Sequence, residues 1–197
     1  SYFLTPAFYN ENLVKIHFKN QILKKYNLEV KFDKKFKYSF FPKPHYYTKG
    51  INFIYDKRNV AKSDYVKINI TVKNFFSLNN IRIKNIFFKK TEFNINIENY
   101  TFFEKILSSV QRDEKINFIK SKLFYKDQNN DVIFFSNISN INFLLNEDQA
   151  QELKANLEIY NIPFSLNIIK DFIKKKSYAK IDSHKLRLSI INNFDYE

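Results

Sequence analysis

Apolar and polar residues alternate one for one through most of this chain, and no other feature limits its fold as severely. In "YVKINITVK", Val66, Ile68, Ile70 and Val72 alternate with Lys67, Asn69, Thr71 and Lys73. A period of two sends successive side chains to opposite faces of an extended strand, so one face is apolar and the other is wet. The same scheme runs through "EVKFDKKFKYSFFPKPH", where Val30, Phe32, Phe36, Tyr38 and Phe40 face one way and Glu29, Lys31, Asp33, Lys35, Lys37 and Ser39 the other. Read as one strand, residues 29–40 would span roughly 40 Å at ~3.3 Å per residue, well beyond the usual strand of about five or six.

Further strands are read at "NIRIKN" and "EFNINIE", through Ile81, Ile83, Phe93, Ile95 and Ile97. "KINFIKSKLFYKDQNNDVIFFSN" reads as a hairpin turning at Asp127 to Asp131. Leu153, Ala155, Leu157 and Ile159 make another strand, followed beyond Asn161-Ile162-Pro163 by Phe164, Leu166 and Ile168, and last by "KLRLSI" with Leu186, Leu188 and Ile190. Helical spacing interrupts the pattern twice. Thr5-Pro6 supplies a start signal for a helix carrying Tyr9, Leu13, Ile16, Ile22 and Leu23, with Asn27 as its stop. Phe102, Phe103, Ile106, Leu107 and Val110 fit a short helix near 101–111.

The fold class is therefore mostly β and antiparallel, with one or two helices: a helical segment at 1–28 and a β layer over 29–197. Strands this long, with the stretch from Tyr55 to Asp64 read as a long polar connection, favour an elongated, curled sheet over a sandwich. Such a sheet buries one face and wets the other.

The chemistry open to the chain is narrow. Its single glycine, Gly50, leaves no phosphate-cradling loop and no nucleophile elbow. Without cysteine there are no disulfides, thiol nucleophiles or Cys-held zinc. His17, His45 and His184 are scattered, and the acidic pairs Asp113-Glu114 and Glu147-Asp148 read as turn residues. No catalytic, metal or cofactor residue is assigned, and the expectation is a non-enzymatic protein.

Lys plus Arg number 33 against 20 Asp plus Glu, a net charge of +13 that draws the chain toward anionic surfaces such as nucleic acid or phospholipid headgroups. Part of this excess matches AT-rich coding, which favours Lys, Asn, Ile and Phe. Interleaved Lys and Phe in "KFDKKFKYSFF" and "KNIFFKK" would suit single-stranded nucleic acid. Strict alternation, however, sends the cation and the ring to opposite faces, so nucleic acid is not the expected partner. No apolar run exceeds about four residues, against the ~20 a spanning helix needs. The chain starts at Ser1 and is read as a piece of a longer protein.

What remains is the apolar face. Val30, Phe32, Phe36, Tyr38, Phe40, Val66, Ile68, Ile70 and Val72 are the candidate lining of an apolar groove.

The order of segments resembles a known family. The helix "ENLVKIHFKNQILKKYNL", the strand ending in Phe41-Pro42-Lys43-Pro44, and "YYTKGINFIYD" leading into "AKSDYVKINITV" resemble the start of the periplasmic part of AsmA-like proteins. "LNNIRIKNIFFKKTEFNINIE" and "INFIKSKLFYKDQNNDVIFFSNISNINFLL" are similar to its later strand pairs. "LEIYNIPFSLNI", with Ile162-Pro163-Phe164, is similar to a stretch that the family precedes with a glycine absent here. The resemblance covers nearly the whole chain. It implies a repeating β-groove of the AsmA/TamB type, tethered to the bacterial inner membrane by a span before Ser1 and extending into the periplasm. The implied role is phospholipid transfer between inner and outer membrane and outer-membrane assembly, with acyl chains, an anionic membrane surface and other envelope-assembly proteins as partners. The alternatives are an envelope scaffold and, more weakly, a single-stranded nucleic-acid-binding β protein.

Overall fold

A computed structural model describes residues 2–72, 76–110, 114–145 and 150–195. A 3-10 helix, Tyr2–Phe8, precedes α1, Glu11–Tyr26. The cap of α1 is Asn10, whose Oδ1 accepts from the backbone of Asn12 and Leu13 at 2.9 and 3.3 Å, while Thr5-Pro6 lies in the 3-10 turn. Asn27, left-handed at φ 50°, ends the helix where the sequence placed its stop. The buried stripe is Val14, Phe18, Gln21, Ile22 and Tyr26, leaving Leu13, Ile16 and Leu23 exposed, a correction to the expected stripe. Two apolar stripes are available on this helix. Phe18 selects one by packing against Phe36 and Tyr46, with ring centroids 5.3 and 5.1 Å apart.

The strands are β1 (Glu29–Phe32), β2 (Lys37–Ser39), β3 (His45–Tyr55), β4 (Arg58–Val72), β5 (Ile81–Ile95), β6 (Lys115–Lys126), β7 (Val132–Leu145), β8 (Gln151–Ile159), β9 (Ile162–Asp171), β10 (Lys176–Ser183) and β11 (Leu188–Asp195). They form one open, curled sheet whose spatial order follows the chain, with β1 and β2 both on β3. A second helix, α2 (Phe102–Ser109), falls where helical spacing placed it. It also forces a departure: β6 runs parallel to β5, with α2 in the crossover between them. The Asp127–Asp131 turn forms as expected, with Asp127 Oδ1 accepting from the backbone of Asn129 and Asp131 at 2.9 Å each.

Several strand expectations are corrected. The twelve-residue strand breaks at 33–36, where the chain leaves the sheet opposite Gly50 and Asp33 N donates to Gly50 O at 2.9 Å. Between Tyr55 and Asp64 there is only the two-residue turn Asp56-Lys57, with φ of 47° and 64°, and β4 starts at once. Those left-handed angles match the twist of the flanking strands, which is why so short a turn suffices without glycine. Ile81 to Ile95 is one strand, Ile97 lies beyond it, and β10 is a strand that the alternation did not reveal.

A crease crosses five neighbouring strands. Inward residues that should be two apart are three apart at Thr48/Ile51, Ser63/Val66, Phe88/Thr91, Phe118/Ser121 and Ile138/Ile141. The skipped positions lie side by side, because the ladders step from Lys49↔Tyr65 to Ile51↔Ser63, and from Tyr65↔Lys89 to Ser63↔Thr91. Gly50, Lys90 and Lys120 take φ of 68°, 54° and 51° there. At β8 the crease ends as a register shift between Ile138 and Asn140. The buried residues along it include small hydroxyls, Thr48, Ser63, Thr91 and Ser121, which fit a sharp bend, and those of Thr48, Ser63 and Ser121 bond nearby backbone groups. Ser63 Oγ donates to Lys89 O at 3.0 Å, and Thr91 N donates to Ser121 Oγ at 3.1 Å.

Because β6 begins opposite Asn85, the backbone of Ile81 and Ile83 has no strand on that side. α1 supplies one in miniature. Gln21 Oε1 accepts from Ile83 N at 3.0 Å and its Nε2 donates to Ile81 O at 2.7 Å, the two bonds a neighbouring strand residue would make. Lys25 Nζ donates to Ile83 O at 3.2 Å and pairs with Glu114. The helix is thereby tied to the sheet it covers.

Candidate functional site

The inner face of the sheet, the one carrying α1 and α2, divides into a sealed and an open half. Over β1 to β6 it is roofed by the 3-10 helix, α1 and α2, around an aromatic centre in which Phe53, Phe88, Phe93, Phe102 and Phe118 are fully buried. Tyr46 joins the roof to the floor by donating from its hydroxyl to Pro6 O at 2.9 Å; burial pushes its ionisation well above the ordinary phenol range.

The candidate groove residues fall mostly into this sealed half. Val30, Val66 and Ile68 are fully buried, Ile70 nearly so, and all belong to the core. Phe32, Phe36 and Tyr38 are half-buried and pack on that core through Phe32–Phe36 and Tyr38–Tyr46 ring contacts of 4.8 and 5.2 Å. Phe40 is exposed beyond the end of β2. Val72 ends β4, and its side chain lies outside the described residues, as do Asp113, Glu147 and Asp148. None of the described candidates lies on the open surface over β6 to β11.

The open surface is the continuation of the same face over β6 to β11. Cross-strand pairing builds a row from Ile141 through Ala155, Leu166 and Ile181 to Ile190. Exposure rises along it, from 5% at Ile141 to 37% at Ile181 and 50% at Ile190, as the distance from α2 grows. Within it Leu123, Phe134, Ile138, Leu153, Leu157, Leu166 and Ile168, with Phe103 of α2, surround a cavity of about 270 Å³. That is near the lower end of ligand-sized cavities, ~300 Å³. Its surface is apolar throughout; Ser136, the one hydroxyl among the lining residues, turns its Oγ to Glu158 O at 3.1 Å. One end of the trough is stopped by α2, where Gln151 Nε2 donates to Ser108 O and Val110 O at 3.0 and 3.3 Å. The cavity lining runs the other way, to Phe134 and Ile159 beside the hairpin turns.

Titratable groups do not converge on the trough. His17, on α1, meets Ile81 O of β5 through Nε2 at 3.0 Å, His45 is bonded through Nδ1 to Lys43 O at 2.8 Å, and His184 sits in the β10–β11 turn. Among the described residues no group of three or more His, Asp or Glu is placed to hold a metal, and no helix is long and apolar enough to cross a membrane.

The outer face departs from one expectation. Alternation was to keep rings and lysines apart, yet Phe87, Phe124 and Phe135 lie outward among lysines. The cause is local: "IFFKK", "LFY" and "IFF" place aromatics consecutively, and a period of two must turn one of each pair outward. Comparison with protein-family models and with curated proteins returns no match for this chain.

Proposed function

We propose that this chain is a non-enzymatic, AsmA-like envelope protein of the bacterial periplasm, tethered to the inner membrane, whose open trough accepts phospholipid acyl chains for transfer between membranes and outer-membrane assembly. The observation that carries the reading is the trough: its cavity over β6 to β9 is lined by apolar surface, and the exposure of its apolar row rises away from α2. An alkyl chain needs only apolar contact, which an uncovered surface of this kind supplies at roughly 25 cal/mol per Å² removed from water. The segment order that resembles AsmA-like proteins supports the same reading.

The test is lipid extraction and mass spectrometry of the purified protein. Leu166→Asp and Ile181→Asp place a carboxylate in the path of the chain, where an unpaired charge is costly. Each should lower bound phospholipid by at least about tenfold while the circular dichroism stays native. Ile68→Asp is the contrasting variant: it sits in the sealed core and should unfold the protein. Wild-type lipid content in folded Leu166→Asp protein overturns the proposal.

A scaffolding role has one observation of its own. β11 exposes Leu188, Ile190, Ile191 and Phe194, with Ile190 and Ile191 on opposite faces, at the edge of the described sheet, a setting that suits strand addition by another polypeptide. Co-purifying protein in place of lipid would favour it.

A further inference from the structure

We propose that the outer face of the β6–β7 hairpin, with the cationic surface of β4 to β6 beside it, docks on an anionic phospholipid bilayer and so sets the mouth of the trough at the membrane. This deepens the acyl-chain reading given above and rests on it. Three observations combine.

The first is an apolar cluster where the outer face should be polar. Ile133 and Phe135 flank the inward Phe134, so both turn outward, and they are 58% and 47% exposed. Phe124 lies across from Phe135, with ring centroids 6.4 Å apart. The β8 ladder pairs with β7 only from Asn137 on, so residues 132–135 have no strand neighbour on that side among the described residues.

The second is charge. Lys62, Lys67, Arg82, Lys89, Lys120 and Lys122 share this outer face, with Asp64 and Glu92 set among them. Among the described residues none of these six cations makes an ion pair. Apolar side chains flanked by unpaired lysines match the boundary between acyl chains and anionic headgroups, where each cation near the surface contributes about fivefold in binding.

The third is continuity. The same hairpin turns Leu123 and Phe134 inward to line the cavity, so the hairpin is at once the wall of the trough and the carrier of the docking patch. A lipid tail leaving the bilayer beside Phe135 would meet the apolar lining one strand thickness away. Aliphatic Ile133 at the exposed tip favours a bilayer over a single-stranded nucleic acid, which would be held by rings and cations alone.

The experiment is co-sedimentation of the full chain with vesicles of phosphatidylglycerol in phosphatidylcholine and with vesicles of phosphatidylcholine alone. Binding should require phosphatidylglycerol and weaken with salt. Lys120→Ala with Lys122→Ala should weaken it about fivefold per lysine, and Ile133→Ser with Phe135→Ser should weaken it further. Both pairs sit at exposed positions, so their thermal unfolding should match wild type. Leu166→Asp should still sediment with vesicles, which separates failure of docking from failure of the trough. Equal binding to neutral vesicles, wild-type sedimentation by both double variants, or displacement from vesicles by a single-stranded oligonucleotide would overturn the proposal.

Discussion

Gln21 is the sharpest point at which to break this fold, because one side chain stands in for a missing strand. In Gln21→Ala the N–H of Ile83 loses its acceptor inside the protein, at a cost of about 1–3 kcal/mol. Ile81 O loses Gln21 Nε2 but keeps His17 Nε2 at 3.0 Å, so it adds little. Removing the Cγ methylene of a residue only 8% exposed adds about 0.8 kcal/mol. The sum is about 3 kcal/mol, a large share of the ~5–15 kcal/mol that typically holds a domain. Gln21→Leu restores the apolar volume without the amide, and should recover about 1 kcal/mol of that loss while leaving the rest. The assay is urea unfolding followed by circular dichroism, with hydrogen exchange at the Ile83 amide as the local readout. Gln21→Leu unfolding within about 0.5 kcal/mol of wild type, with Ile83 still protected, would show that the helix does not complete the sheet edge, and the reasoning would fail.

Two further outcomes follow from the same geometry. Burial, with the charge of Arg82 acting in the same direction against the Ile81 carbonyl, holds His17 below the ordinary imidazole range, so its proton prefers the unfolded chain. The stability from neutral His17 is present above about pH 6.5 and is lost as pH falls through the lower folded value. The urea midpoint should therefore drop on acidification from neutrality, and His17→Gln should flatten that drop; an unchanged slope in the variant refutes the assignment. Gly50 takes φ 68°, and an added Cβ would lie 2.9 Å from Asp33 Oδ2, so Gly50→Ala should cost about 1–2 kcal/mol. In a double-mutant cycle Asp33→Ala should relieve the carboxylate contact but neither the 3.1 Å approach of residue 33 Cβ nor the backbone cost, leaving about 1 kcal/mol; full recovery would show that the left-handed angle is not required.

Much of the sheet was legible because period-two alternation is local. The strand at Val66 to Ile70, the Asp127–Asp131 hairpin, the Asn27 stop and the helix at Phe102 all follow from neighbours within a few positions. The crease was also written locally, as three-residue steps such as Thr48 to Ile51 and Ser63 to Val66, but a search for strict alternation passes over it. Consecutive aromatics in "IFFKK" and "LFY" likewise announced outward rings. The turn at Asp56-Lys57 was hidden because left-handed angles there are carried without glycine.

By itself the sequence determined that the chain is a two-faced, mostly β layer with little helix to cover it, since side-chain alternation follows from the geometry of an extended backbone alone. Only the tertiary structure decided which part of the apolar face stays open. α1 chose the stripe of Phe18 and Gln21 by meeting Phe36, Tyr46 and the free edge of β5, residues far away in the chain, and in doing so buried Val30, Val66 and Ile68. The parallel step at β6 placed α2 over the middle of the sheet, and the far end of the row, at Ile181 and Ile190, was left uncovered. Alternation states that a face is apolar. Which elements reach far enough to cover it is settled by long-range packing, and that is not encoded at any one position.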